Sequence, residues 1–216
     1  MAIFTLAHEG ENLRQLRNIV RYNSKNKKGF NSDINPRLIG VHSNCGYCLN
    51  IDDENEYKQL VKNFILTADA NAQLSTNSRQ KYFYEHSVIS FSIEDDKKLG
   101  MKKATELAIE TAKQYDPNFE DLPYILWPQI DSGKLHFHLV KCYFNEQGKY
   151  FKQSFPMKKM NSSAQKIEKK HKLTFTGKND PNNYIWKTQK NGKKKKIYFP
   201  QGNKTIIKLL KIERWI

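Results

Sequence analysis

The sequence YILWPQIDSGKLHFHLVKCY, residues 124–143, decides the fold. Two runs rich in apolar, β-branched and aromatic residues, 124–130 and 135–143, flank the polar tetrapeptide DSGK. Such runs are typical of strands, and a Ser-Gly pair between them is typical of a tight turn. The stretch therefore predicts an antiparallel β-hairpin.

Outside the hairpin, apolar residues recur at helical spacing in four segments, and two shorter segments read as strands. We expect helices at 13–22, 57–65, 101–115 and 157–171, strands at 37–42 and 88–93, and an amphipathic stretch at 206–212. Helices mixed with an antiparallel hairpin indicate an α+β fold, with an antiparallel β-sheet flanked by helices.

His136 and His138 are the most informative polar residues of the hairpin. Side chains of a strand alternate with a period of two, so both imidazoles share one face and Phe137 points to the other. A two-residue loop would place Gln129 opposite His136 and bring Asp131 to the same face. Two imidazoles with nearby oxygen donors suit a divalent metal such as Mn or Mg, although hydrogen-bonded histidines on a solvated strand would give the same pattern.

Basic residues are concentrated at one end of the chain. The net charge is +15, yet residues 134–216 carry 21 Lys and Arg against 4 Asp and Glu, whereas residues 1–133 carry 16 against 18. This asymmetry favours a polyanionic partner, usually nucleic acid, over a merely solvated basic face. The candidate phosphate contacts are Lys25, Lys27, Lys28, Lys193, Lys194, Lys195 and Lys196.

Ser90 and Tyr22 are further candidates for chemistry. Ser90 offers a small hydroxyl that can bind a phosphate, but the polar side of a half-exposed strand explains it equally well. Tyr22 ends the first predicted helix, just before the lysine cluster. A phenol with a pKa of about 10 is a poor nucleophile unless cations or a metal stabilise the phenolate.

The same composition excludes several classes of protein. No apolar run approaches the roughly 18 residues of a membrane span, and the N-terminus lacks the pattern of a signal peptide. Three cysteines make no disulfide framework, which favours a cytoplasmic protein without membrane insertion. Cys45 and Cys48 form a single CxxC motif, and we interpret both as incidental thiols.

The order of these motifs resembles a relaxase, or mobilisation nuclease, domain of the HUH endonuclease superfamily. The quoted motifs are a helix ending in Tyr-Asn at 19–25, a strand with Asn-Cys at 38–45, a Ser-Phe strand at 84–91 and the run from Gln129 to His138. The similarity covers residues 10–155. It implies a palm-like sheet with a catalytic core at 1–155, and a basic extension at 156–216 that grips DNA within the same domain.

The resemblance also implies an activity, the nicking of single-stranded DNA at an origin of plasmid transfer. Tyr22 would attack the phosphodiester and form a 5′-phosphotyrosyl adduct that is later religated. His136 and His138, with Gln129, would hold the metal, Mn or Mg. Asp131 would orient a ligand imidazole, and Ser90 would position DNA. Accessory relaxosome and coupling proteins are implied partners.

Gln129 departs from the family pattern, which usually has a histidine there. Tyr47 and Tyr82 remain alternatives to Tyr22 as the nucleophile. Two other functions stay open: a rolling-circle replication initiator of the same superfamily, and an accessory protein that binds DNA without catalysis and would show salt-dependent binding but no cleavage.

Overall fold

The computed structural model describes residues 2–24, 38–48, 52–76, 79–131, 134–174, 184–188 and 194–198. The chain divides into two compact units, Met1–Thr174 and Phe175–Ile216. Side chains are described only in the first unit. Among the described residues, no helix combines the length and the apolar character needed to cross a membrane.

The first unit is an α+β domain, as the sequence predicts. Its elements are β1 (Ile3–Gly10), α1 (Leu13–Ser24), β2 (His42–Ser43), α2 (Glu54–Gln73), β3 (Tyr84–Ser90), α3 (Ile93–Tyr115), a 3-10 turn (Phe119–Asp121), β4 (Tyr124–Asp131), β5 (Lys134–Cys142) and α4 (Pro156–Lys170). The strands form one antiparallel sheet in the order β1-β3-β5-β4-β2.

The predicted hairpin is confirmed with its register. Strand β4 pairs with β5 so that Asp131 lies opposite Lys134, and Gln129 opposite His136. On its other side β5 pairs with β3, which places Ser90 opposite His136 as well. The strand that carries the two histidines is therefore central in the sheet, with a neighbour on each side.

Side chains along each strand alternate between the two faces of the sheet, and each face packs against a different hydrophobic cluster. The phenylalanine face, defined by Phe137 and Leu139, packs against α3 and α4. The histidine face, defined by His136 and His138, continues along β5 into Val140, which packs under α1 and α2. The two helices cover only part of the histidine face, and the histidines are half-buried beside the covered part.

Strand β3 ends earlier than the sequence predicts, because Ser92 starts a helix. The Ser92 hydroxyl accepts a hydrogen bond from the amide of Asp95 at 3.0 Å, the usual N-terminal cap. Ile93, expected on the strand, is the first residue of α3 and is exposed. The predicted alternation of Ser90 with Ile89 nevertheless holds within the strand.

The strand predicted at 37–42 is wrong in its extent. Only His42 and Ser43 form β2, and Leu38 makes a single bridge to Gln129. Conversely, β1 is a full strand that the sequence analysis did not predict. It pairs along β3 with a register shift between Leu6 and His8, which interrupts its alternating pattern.

Helix α4 belongs to the compact unit Met1–Thr174, and the predicted division at residue 155 stays a prediction. Its buried residues Met160, Ala164 and Ile167 join the cluster on the phenylalanine face, opposite the histidines. The second unit contains the hairpin of β6 (Tyr184–Thr188) and β7 (Lys194–Tyr198). The stretch 206–212 lies outside the described residues.

A buried ionic cluster joins the strands at the end of the sheet away from the histidines. The Lys141 ammonium is fully buried on the phenylalanine face, where it pairs with Asp116 and lies 3.3 Å from Glu85. The Tyr115 hydroxyl donates to Glu85 at 3.1 Å, and the Tyr143 hydroxyl, which donates to Glu9 at 2.6 Å, also lies 3.1 Å from Glu85. One buried cation thus compensates two buried carboxylates, an arrangement that is costly to break.

Candidate functional site

His136 and His138 lie side by side on the histidine face, with ring centroids 5.1 Å apart and ring planes at 72°. Gln129 and Ser90 flank His136 on the two neighbouring strands. Three of the residues that the sequence singles out are thus brought together with His138 on three adjacent strands. The same geometry places Trp127 opposite His138.

Both histidines use the Nδ1 atom in a hydrogen bond. His136 Nδ1 lies 3.2 Å from the Lys134 carbonyl oxygen, which can only accept, so this nitrogen carries the proton. His138 Nδ1 lies 2.9 Å from Nε2 of His86. When His138 donates this bond, the lone pair of each imidazole is at Nε2, the tautomer that a metal ligand requires.

His86 is a site residue that the sequence analysis missed. It lies on β3 with only 5% of its surface exposed, and its ring stacks on that of His138 with centroids 5.1 Å apart. Burial, reinforced by the nearby charge of His8, lowers the pKa of His86 to about 4. A neutral His86 can accept the proton of His138 Nδ1. The sequence could have indicated this residue, because His86 and Ser90 are four positions apart on one strand and their side chains therefore lie on the same face.

Gln129 connects the histidine face to the end of α1. Its side chain is fully buried, and its Nε2 donates to the main-chain oxygen of Asn23 at 2.9 Å. In the part of the chain that the structure describes, the other amide atom, Oε1, is buried without a hydrogen-bond partner. A buried acceptor without a donor is costly, and a bound cation would compensate it.

A second set of hydrogen bonds holds the same helix end. Trp127 Nε1 donates to the Tyr57 hydroxyl at 3.0 Å, and that hydroxyl donates to Ser24 Oγ at 2.6 Å. Tyr22 is in the same last turn of α1 and has 56% of its surface exposed. The predicted nucleophile is therefore accessible. It lies on a turn that hydrogen bonds connect to β4, the strand next to the one that carries the histidines.

The two alternative tyrosines lie elsewhere. Tyr82 precedes β3 at the end where Tyr84 pairs with Cys142, about 20 Å or more along the strand from Ser90. Tyr47 follows β2, which pairs with Leu126 and Ile125 of β4 rather than with Gln129, and it is almost fully exposed. Of the three tyrosines, Tyr22 is the one whose chain neighbour contacts the histidine face.

The donor set is two imidazoles and one amide oxygen. Within the described ranges, no group of three or more His, Cys, Asp or Glu side chains could hold a metal ion. Gln129, opposite His136, offers Oε1 as a candidate third donor, and the unsatisfied state of this oxygen fits a hard divalent cation. The Asp131 backbone is paired with Lys134, but its side chain is outside the described part, so its predicted role stays a prediction.

Residues 39–173 match the family model of the MobA/VirD2-like relaxase nuclease domain. The chain belongs to this relaxase family. The match begins after α1, so the family model does not cover Tyr22. No curated protein matches the sequence.

Solved structures show the same relaxase fold. A crystal structure of the MobM relaxase domain bound to plasmid pMV158 oriT DNA, Mn-bound at pH 6.5, is similar with a TM-score of 0.53 and 13% identity, over 83% of this chain and 90% of that one. A second Mn-bound MobM complex at pH 6.8 gives a TM-score of 0.52 and 13% identity, over 81% and 88%.

Cationic side chains of the relaxase domain line a groove between α1 and α2, next to the turn that carries Tyr22. Arg17, Arg21 and Lys62 have no acidic partner among the described residues, whereas Lys58 pairs with Glu54 at 2.7 Å. Apolar residues of the groove are Val20, Val61, Ile65 and Leu66. The groove thus combines cations with apolar surface, which suits single-stranded nucleic acid.

The lysines singled out from the sequence fall mostly outside the described residues of the relaxase. Lys25, Lys27, Lys28 and Lys193 are not described. Lys194, Lys195 and Lys196 begin strand β7, where Lys196 is paired with Trp186 and Lys195 with Lys187. They therefore belong to a hairpin strand, and their role in DNA binding stays a prediction.

Cys45 and Cys48 form no disulfide among the described residues, and both pack against the cluster under α1 and α2. Burial raises the pKa of the Cys45 thiol, although bonds from Ser43 and other groups oppose the rise. A raised pKa reduces the thiolate fraction and with it the reactivity toward disulfides or metals.

Proposed function

We propose that this relaxase nicks single-stranded DNA at an origin of transfer by a reversible transesterification, with Tyr22 as the nucleophile. The observation that carries the proposal is the hydrogen bond from Gln129 to the main chain of Asn23. It joins the turn bearing Tyr22 to the residue opposite His136, which supports a site shared by the phenol and the imidazoles.

In the reaction, the Tyr22 oxygen attacks phosphorus in line with the bond to the 3′ oxygen. The phenol gives up its proton as the new O–P bond forms, the P–O3′ bond breaks, the 3′ oxygen takes up a proton in exchange, and the phosphate remains esterified to Tyr22 at the 5′ end. One phosphodiester replaces another, which preserves the bond for religation by the reverse attack. Placement on a held helix turn orients the phenol for this attack.

His136, His138 and Gln129 would hold a divalent cation, Mn or Mg, whose chemistry is to stabilise negative charge that develops on the phosphate oxygens. The fit rests on the orphaned Oε1 atom of Gln129 and on the two bonds that occupy the imidazole Nδ1 atoms. The Mn-bound MobM complexes support this choice of metal.

The other residues position the substrate and the ligands. Ser90, opposite His136 on β3, would donate its hydroxyl to a DNA phosphate next to the nick. Asp131 would orient a ligand imidazole from outside the donor set. The cationic groove beside Tyr22 and the lysines of β7 would bind the phosphates along the DNA strand.

The likeness to MobM bound to oriT DNA supports an origin of transfer as the substrate. Relaxosome and coupling proteins would assemble with the enzyme in the cytoplasm. The apolar and cationic groove favours a single strand over a duplex, because unpaired bases can pack on apolar surface while phosphates meet the cations.

The test is a denaturing gel of the protein with Mn²⁺ and labelled single strands tiled across the DNA upstream of its gene. We expect an adduct that survives denaturant, disappears with chelator and is absent from Tyr22→Phe. Tyr82→Phe is the matched control, since Tyr82 lies at the far end of β3. Binding of several strands without any adduct would instead support an accessory DNA-binding protein.

A further inference from the structure

Gln129 makes two different connections through one amide group. Its Nε2 donates to Asn23 of α1, while its Oε1 is buried and unpaired on a residue that lies opposite His136. We propose that Gln129 is a positioning residue that couples cation binding at His136 and His138 to the order of the helix turn carrying Tyr22. The inference rests on the proposed function.

The helix end has a physical need for this bond. The last carbonyl groups of a helix have no partner within the helix. At the end of α1, the side chains of Asn23 and Ser24 turn back to the carbonyls of Ile19 and Val20, at 3.0 and 2.7 Å. The main-chain oxygen of Asn23 is instead satisfied from the sheet, by Gln129. Because both residues are fully buried, water cannot replace this bond.

The bond also fixes the direction of the Gln129 oxygen. In the flipped amide, Oε1 would face the Asn23 carbonyl oxygen, and two acceptors would meet in a buried site. The observed orientation therefore turns Oε1 away from α1, on the strand position opposite His136. A cation bound there polarises the amide and strengthens its N–H donor, so the two connections reinforce each other.

Coupling of this kind is reciprocal. A cation that strengthens the bond to Asn23 orders the turn of Tyr22, and an ordered turn raises the affinity for the cation by the same factor. The amide is suited to this role because it supplies a donor and an acceptor at once. A carboxylate would supply the acceptor alone, and a thioether of similar length would supply no donor and only a weak acceptor.

The substitutions Gln129→Glu and Gln129→Met separate the two connections. Calorimetry with Mn²⁺ alone measures cation affinity, and hydrogen exchange with and without Mn²⁺ measures protection of amides in the last turn of α1. In the wild type, we expect Mn²⁺ to slow exchange of this turn by about tenfold, in line with coupling factors of this size.

Gln129→Glu is expected to bind Mn²⁺ at least as tightly as the wild type, because the carboxylate is the stronger ligand. It should nevertheless lose the Mn²⁺-dependent protection of α1 and form adduct about 10 to 100 times more slowly at saturating Mn²⁺. Gln129→Met should lose affinity and protection together. Gln15→Glu, which adds the same charge at the other end of α1 and keeps the acceptor for the Glu11 amide, is the matched control.

Two results would overturn the coupling. In the first, Mn²⁺ protects the α1 turn of Gln129→Glu as strongly as that of the wild type. In the second, Mn²⁺ does not protect this turn in the wild type. Exchange and calorimetry require no DNA. A wild type with Mn²⁺-dependent protection but no adduct would therefore refute the proposed nicking while supporting the coupling, and adduct formation without the protection would do the reverse.

Discussion

The hydrogen bond between His86 and His138 gives the sharpest quantitative prediction. Replacing His86 by Phe keeps the ring and removes the acceptor that faces His138 Nδ1 at 2.9 Å. His86 is 5% exposed, so water does not take its place. His138 must then either bury an unpaired N–H or move its proton to Nε2, where it blocks metal binding.

Both routes lower affinity for the metal. Loss of a hydrogen-bonding partner of a metal-ligating histidine costs about 10-fold to 100-fold in affinity, which is about 1.4 to 2.7 kcal/mol. An unpaired buried donor costs about 1 to 3 kcal/mol, so the two ranges agree. We therefore expect His86→Phe to weaken Mn²⁺ binding by about 10-fold to 100-fold at pH 7.5.

Isothermal titration calorimetry with Mn²⁺ measures this loss, and chemical denaturation confirms that the variant is folded. His86→Gln is the matched control, because its amide oxygen can accept the same proton near the position of the lost Nε2. We expect it to recover most of the affinity. Wild-type Mn²⁺ affinity in His86→Phe would refute the reasoning. Equal losses of Mn²⁺ affinity in His86→Phe and His86→Gln would also refute it.

Three further predictions concern stability and DNA binding. Lys141→Met removes the cation between Glu85 and Asp116 and should lower the free energy of unfolding by about 3 to 5 kcal/mol in urea titrations; an unchanged midpoint would contradict the buried cluster. Burial raises the pKa of Asp96 to about 6, so the stability that its protonated form contributes is present below about pH 4 and lost as the pH rises to about 6. Because Asp96 is only half-buried, Asp96→Asn should gain about 1 kcal/mol at pH 8 and nothing at pH 3.5, and equal gains at both pH values would exclude this cause. Replacing the four lysines 193–196 by Ala should reduce the slope of log affinity for single strands against log salt by about 2 to 3, with adduct chemistry unchanged at saturating DNA; a full slope would remove these lysines from the DNA contact.

The local chemistry of the hairpin made much of the site predictable. Two strands around a Ser-Gly turn have few alternative registers, so Gln129 opposite His136 follows from residues 124–143 alone. The helices also followed from their apolar spacing, although α3, capped by Ser92, begins eight residues before its predicted limit and α2, capped by Asp53, ends eight residues after its own.

Long-range pairings were not predictable from one sequence. The approach of His86 to His138 depends on which strand lies next to β5, and 52 positions separate the two residues. The bond from Gln129 to Asn23 spans 106 positions and requires the path of α1 over the sheet. Strand β1 was not predicted, because the register shift between Leu6 and His8 interrupts the alternation of apolar and polar residues that indicates a strand.

The central claim is that Tyr22 forms the covalent bond to DNA. The direct measurement is mass spectrometry of the trapped protein–DNA adduct after digestion of both components, with fragmentation to locate the modified residue. The account predicts a 5′-phosphonucleotide on Tyr22 of the α1 turn. A nucleotide on Tyr47, Tyr82 or any other residue would contradict it.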